Sequence, residues 1–142
     1  DVYKRQTAFK HCYLESLKKL YPAGLPEPSL LISTWLDYDD LGERLLEELD
    51  RLHPFGQGNS EPVFGLRGIV LDEAPQTFGE GNFRFRMPAS PSARRGIAGI
   101  AWRLGTAPEA GEKVDMAIRF SWNYWRDSRN PQATLVDWKP SE

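Results

Sequence analysis

The sequence predicts an α+β chain in which a small mixed helix and strand part is followed by a five-stranded β-barrel. Three observations carry this. Apolar residues recur at helical spacing before residue 54, and at every second position in the segments beyond residue 62. The change of period falls at a proline- and glycine-rich stretch, "HPFGQGNSEP". Beyond it, five segments rich in β-formers are separated by turn signals. At 142 residues, 40% of them hydrophobic, the chain has room for one ordinary domain or two small ones and can supply a core.

In the first part, residues 1–53, Phe9, Tyr13, Leu17 and Leu20 follow one another at intervals of four, four and three from Thr7 onward. This is one face of an amphipathic helix, which Pro22 and Gly24 end. "SLLISTWLDY" is apolar and β-branched enough for a strand. A second helix is predicted from about Leu41 to Leu52, with Leu41, Leu45, Leu49 and Leu52 on one face. The acidic cluster Asp37, Asp39 and Asp40 admits two readings. Hard cations want several carboxylate oxygens, but Asp40 followed by Glu43 has the spacing of a capping box, and negative charge suits a helix start. Capping is the preferred reading.

Residues 54–62 form the joint, with Pro54, Phe55, Gly56, Gly58, Asn59 and Pro62 as its structural residues. A Gly-x-Gly cradles phosphate best where backbone N–H groups converge at the start of a helix. Here the glycines come after one, where they end it and turn the chain. The barrel, residues 63–142, takes its strands from about 63–72, 82–87, 97–104, 113–125 and 132–138. In "NFRFRM", Phe83, Phe85 and Met87 share one face while Arg84 and Arg86 share the other. In "MAIRFSWNYW", Met116, Ile118, Phe120, Trp122 and Tyr124 alternate with Ala117, Arg119, Ser121, Asn123 and Trp125. A five-stranded, partly open barrel is the OB architecture, whose exposed face and loops bind oligonucleotides or oligosaccharides.

Charge admits two readings, a solvated sheet face or a binding surface. The net charge of −2 conceals an asymmetry, with seven Lys/Arg against ten Asp/Glu in residues 1–60 and eleven against ten in residues 61–142. Residues 81–108 hold five arginines and no acid. The candidate binding set is Arg67, Arg84, Arg86, Arg94, Arg95, Arg103, Arg119, Asn123, Trp125 and Arg126, with arginines tracking phosphates and aromatic rings stacking on bases. Trp125 is the stacking candidate, because alternation sets it beside Arg119 and Asn123. Trp102 groups with Ile100 and Leu104 as core, and most tryptophans are core. Other classes are excluded. Cys12 stands alone, so no disulfide forms within the chain, and with only His11 and His53 beside it no Cys/His zinc site assembles. No apolar run approaches the roughly 20 residues that cross a bilayer, and the first residues do not read as a signal peptide, so a cytoplasmic protein without a membrane partner is expected. The residues alone leave DNA, RNA and sugar open as ligands.

A resemblance narrows them. The run from Leu52 to Asn59, then Glu61-Pro62 and Phe64, resembles the "Leu-x-Pro-Phe-Gly-x-Gly-Asn-Pro-Glu-Pro-x-Phe" junction of the RecJ single-stranded-DNA exonucleases. Gly79-Glu80-Gly81-Asn82-Phe83-Arg84 is similar to that family's Gly-x-x-His-Leu-Lys strand, and Asn123-Tyr124-Trp125 resembles its Asn-x-Trp strand end. The likeness runs from about residue 8 to residue 140, with Ser60 in place of the usual proline and Asn82 in place of the usual histidine; the opening "DVYKRQ" has no counterpart. It implies that residues 1–53 are the tail of the DHH-associated domain and residues 63–142 an OB domain that binds single-stranded DNA. The joint then holds the barrel against the catalytic DHH module. For the whole enzyme it implies 5′-to-3′ digestion in recombination and repair with manganese or magnesium. The Asp-His-His and Gly-Gly-His motifs of that chemistry are absent from this sequence, so no catalytic residue, metal ligand or cofactor is expected in this chain, and it is expected to be inactive alone. A single-strand-binding protein is a further candidate partner, which a purely protein-docking OB module would also have. An independent hydrolase would have to bind metal at Asp37, Asp39 and Asp40.

Overall fold

The computed structural model describes residues 2–142, so the opening Asp1 lies outside it. The chain divides into two compact units, Asp1–Leu30 and Leu31–Glu142.

The first unit is built on helix α1, Val2–Leu20, which starts earlier than its apolar periodicity suggests. Its last turn is closed by Tyr21 and Gly24, whose N–H groups donate to Leu17 O and Tyr21 O, with Gly24 in the left-handed region. The expected stripe exists, and Phe9 and Tyr13 stack with ring centroids 6.1 Å apart. Among the described residues it is largely uncovered, with Phe9 72% exposed.

The second unit begins with strand β1, Thr34–Trp35, only two residues of the ten-residue strand expected there. A 3-10 turn at Tyr38–Asp40 leads to helix α2, Glu43–Asp50. The Asp40/Glu43 capping box does not form. Asp40 is spent in the 3-10 turn, the chain swings Leu41 fully into the core, and Gly42 takes the N-cap without a side-chain bond. Helix α2 buries Leu46 and Leu49. It also stops short of the expected Leu52, which is exposed beyond its end.

The remaining strands are β2 (Phe64–Val70), β3 (Gln76–Phe78), β4 (Asn82–Arg86), β5 (Ala98–Ala101), β6 (Lys113–Trp125) and β7 (Ser128–Pro140). All five expected segments are strands, but the sheet has seven, in the order β1-β2-β6-β7-β5-β4-β3. The pairs β1/β2 and β5/β7 are parallel and the rest antiparallel. The expected five-stranded barrel is therefore an open seven-stranded sheet. Closure into five strands would require β2 to pair with β4; instead the short strands β1 and β3 lie beside the first two residues of β2 and the first three of β4.

One sheet face and α2 enclose a single core of Leu41, Leu46, Leu66, Phe83, Met87, Ile97, Val114, Met116, Ile118 and their neighbours. Residues 31–53 thus share the core of the strands beyond the joint. Two glycines are dictated by close packing, Gly65 on the outer face beneath Trp35 and Gly99 on the core face. A Cβ on Gly65 would lie 2.5 Å from the Trp35 ring, and one on Gly99 would lie 2.2 Å from Phe85. At the irregularity of β2 between Leu66 and Ile69, Gly68 takes φ +65° and its N–H donates to Asp115 Oδ1 at 3.0 Å. Burial pushes the Asp115 carboxyl up, but the bonds from Gly68 and Ser141, with Lys139 and Arg67 nearby, bring it below its ordinary value.

Candidate nucleic-acid interface

Because side chains alternate across a sheet, the buried face fixes what the other face presents. Register places Gln76, Arg84, Ile100, Thr134 and Arg119 in one row across β3, β4, β5, β7 and β6. The adjacent row holds Arg86, Ala98, Gln132 and Ser121. Arg84, Arg86 and Arg119 are exposed, as their alternation in the sequence predicts. A shallow recess of about 280 Å³ lies here, lined by Glu73, Gln76, Arg84, Arg86, Ile100 and Gln132 among others.

The arginines differ in what holds them. The Arg84 guanidinium lies 4.8 Å from the Phe78 ring centroid, a cation–π contact that leaves the charge in water. Arg86 Nη1 donates to Arg95 O at 3.1 Å, which ties β4 to the loop carrying the exposed Arg94 and Arg95. Arg119 Nε lies 3.6 Å from Glu61 Oε2, so part of its charge is countered by the joint. Arg67 covers Trp35 at 4.4 Å on β2, several strands away from Arg84. Arg103 follows β5 at φ 55°, and its backbone N–H donates to Asn82 Oδ1 at 2.9 Å. Asn82 therefore has a structural task here: it pins the turn after β5.

Beyond the sheet body, β6 and β7 continue as a two-stranded hairpin closed by Arg126 and Asp127. Asn123 and Trp125 lie on the Arg119 face of this hairpin, and Trp125 is 68% exposed with Arg126 5.9 Å from its ring. On the opposite side Arg129 lies 4.3 Å over Trp122, whose Nε1 donates to Asp50 Oδ2 at 3.1 Å. Arg129 is absent from the sequence-based set, although its place across from Tyr124 in a hairpin reading would have signalled it.

One expectation fails on this face. Trp102 is 55% exposed instead of core, and Ile100 stands in the arginine row. The phase of β5 is set by Gly99 and Ala101, which face inward opposite Phe85 and Phe83 because only small residues fit beneath those rings. Hydrophobicity alone puts Ile100 and Trp102 inside; the size of the residues opposite is the signal that reverses them.

The joint is a tight loop. Gly56 and Asn59 exchange backbone hydrogen bonds of 2.9 and 3.2 Å, and Asn59 Nδ2 donates to Leu52 O and Pro54 O. Gly58 takes φ +83°, whereas Gly56 does not enter the left-handed region. The His53–Pro54 peptide is cis, the Phe55 ring centroid lies 4.3 Å from that of His53, and Pro62 is half-buried. Among the described residues no three His, Cys, Asp or Glu side chains converge as a cation's ligands would, and Asp37, Asp39 and Asp40 are exposed. Manganese or magnesium therefore finds no ligand set in them, and no metal step can be derived from these residues.

A family model described as the RecJ OB domain matches residues 32–137. Over 119 residues, 83% of the chain, the sequence is 31% identical to the single-stranded-DNA-specific exonuclease RecJ of Thermus thermophilus, of which it spans 15%. Crystal structures of RecJ from Thermus thermophilus with Mn2+ and with Mg2+ each superpose on 90% of the chain with a TM-score of 0.65 and 26% identity. The chain spans 19% and 20% of those two. A match that takes in the sheet, α2 and the joint together shows that the chain belongs to the RecJ OB domain family.

Proposed function

We propose that this chain is the single-stranded-DNA-binding region of a RecJ-like 5′-to-3′ exonuclease of the cytoplasm, acting in recombination and repair. The observation that carries it is the pair of adjacent rows on the outer face, where Arg84, Arg86 and Arg119 stand among uncharged Ile100, Ala98, Gln132, Thr134 and Ser121. Arginines so spaced take successive phosphates, while the exposed Trp125 offers a flat ring to a base that is not paired. A duplex would hide its bases from that ring. Hydrolysis is assigned to the catalytic module of the larger enzyme, with this face guiding the strand toward it.

Titration of a labelled oligothymidine across a salt series tests the reading. With about four to five cationic contacts, the logarithm of the binding constant should fall against the logarithm of salt with a slope near −3. Arg84→Ala or Arg86→Ala should each flatten that slope by about 0.7. Trp125→Ala should weaken binding by about 1–3 kcal/mol and leave the slope alone. Binding that ignores the Arg84→Ala/Arg86→Ala double variant would remove β4 from the site.

A further inference from the structure

Trp102 is not used by this reading as it stands. Its indole sits just past the end of β5 with more than half of its surface in water, and it is held rather than loose. The Phe78 ring meets it edge-on, centroids 5.7 Å apart and planes at 84°. Phe78 is in turn fixed by β3 pairing with β4 and carries the Arg84 guanidinium. On its other side the chain is pinned by the bond from Arg103 N–H to Asn82. A large apolar ring kept in water and braced from two sides is a surface awaiting a flat partner.

Its position relative to Trp125 follows from register. Strand β5 runs parallel to β7 and therefore opposite to β6. From the shared row, Trp102 lies two residues beyond Ile100 one way and Trp125 six residues beyond Arg119 the other. Strand rise and spacing put them on the order of 28 Å apart along a diagonal of the face. Arg84 and Arg86 flank that diagonal on β4, and Arg103 stands at its Trp102 end. Beyond Trp102 the adjoining recess is lined by Glu80 with Asn82 and Arg103, and Glu80 disfavours a phosphate path continuing past it.

We infer that Trp102, braced by Phe78, is a second base-stacking station, so that a single strand crosses the face diagonally between two aromatic stops with Arg84, Arg86 and Arg103 beside its phosphates. This rests on the single-stranded-DNA reading. A strand must be long enough to reach both stations, and OB folds with sites of about 4–16 nucleotides cover that range.

The test uses the full chain and two oligothymidines, one of about four nucleotides and one of about twelve. With the longer strand, Trp102→Ala should weaken binding about 5- to 150-fold with an unchanged salt slope, and Trp102→Phe should recover most of it. The shorter strand can occupy either station, so either single tryptophan variant should cost it much less than the Trp102→Ala/Trp125→Ala double variant does. Melting temperatures matching the parent's confirm the fold, and Trp102→Leu, which keeps an apolar side chain but no flat ring, provides the comparison if Trp102→Ala is destabilised. If Trp102→Ala, or in that event Trp102→Leu, shows neither loss nor length dependence while the Arg84→Ala/Arg86→Ala variant is weakened, the second station is refuted and the arginine face stands. If the parent chain binds neither strand at low salt, both readings fail together.

Discussion

Tyr38 links the 3-10 turn before α2 to the loop after β4, its hydroxyl donating to the Pro88 carbonyl. Burial, reinforced by Asp39 and Asp72, pushes its phenol up to about 12. The neutral phenol is thus favoured by the fold. Its contribution is complete below the ordinary value of 10.0 and is lost as pH rises through about 12. Thermal unfolding followed through that window should show a steeper loss for the parent than for Tyr38→Phe. At neutral pH the variant should be less stable by about 1 kcal/mol for the lost hydrogen bond. Equal slopes would disconnect Tyr38 from the alkaline transition. Single residues were legible in the sequence where alternation was unbroken, as for Arg84 and Arg86. They were illegible where a neighbour's size decided the matter, as Gly99 and Ala101 did for Trp102. Asn82 reads as a departure in a motif, and only the turn after β5 shows its carbonyl oxygen holding the Arg103 N–H.

The joint shows how an element can depend on one of two glycines that look alike in sequence. Gly58 sits at φ +83° and Gly56 outside the left-handed region, and neither has a heavy atom within 4 Å of a built Cβ. Gly58→Ala should therefore cost about 1 kcal/mol through backbone strain alone. Gly56→Ala should be neutral or stabilising by up to about 1 kcal/mol, because it restricts only the unfolded chain. Urea denaturation of the two variants side by side reads the difference, and equal losses would overturn the assignment of the requirement to the positive φ of Gly58. Of the other elements, α2 was legible from its leucines, but its start was not. A capping-box spacing says nothing about whether the preceding residue will be drawn into the core, and burying Leu41 moved the N-cap to Gly42.

As a whole, the molecule keeps its core within Leu31–Glu142, where α2 and the strands share one cluster of apolar side chains. Residues 31–142 expressed alone should accordingly unfold in a single cooperative transition by calorimetry. A chain beginning at residue 54 should not, since it lacks Leu41, Leu46 and Leu49; a cooperative transition of that shorter chain would show that α2 is dispensable. Strands β2, β4, β6 and β7 were legible because each is long enough for its alternation to register, whereas β5, with four residues, was placed in the chain but read in the wrong phase. Strands β1 and β3, with two and three residues, have no period to detect, and they stand at the two edges of a sheet that is open where a barrel was expected. An open sheet has two rims, and an unpaired rim is where other chains can add on. Here each rim is a strand so short that an incoming chain would gain only a few backbone bonds before running out of partner. The same two scraps of strand that end the sheet thus offer little template for end-to-end polymerisation, and lengthening either one would invite fibres.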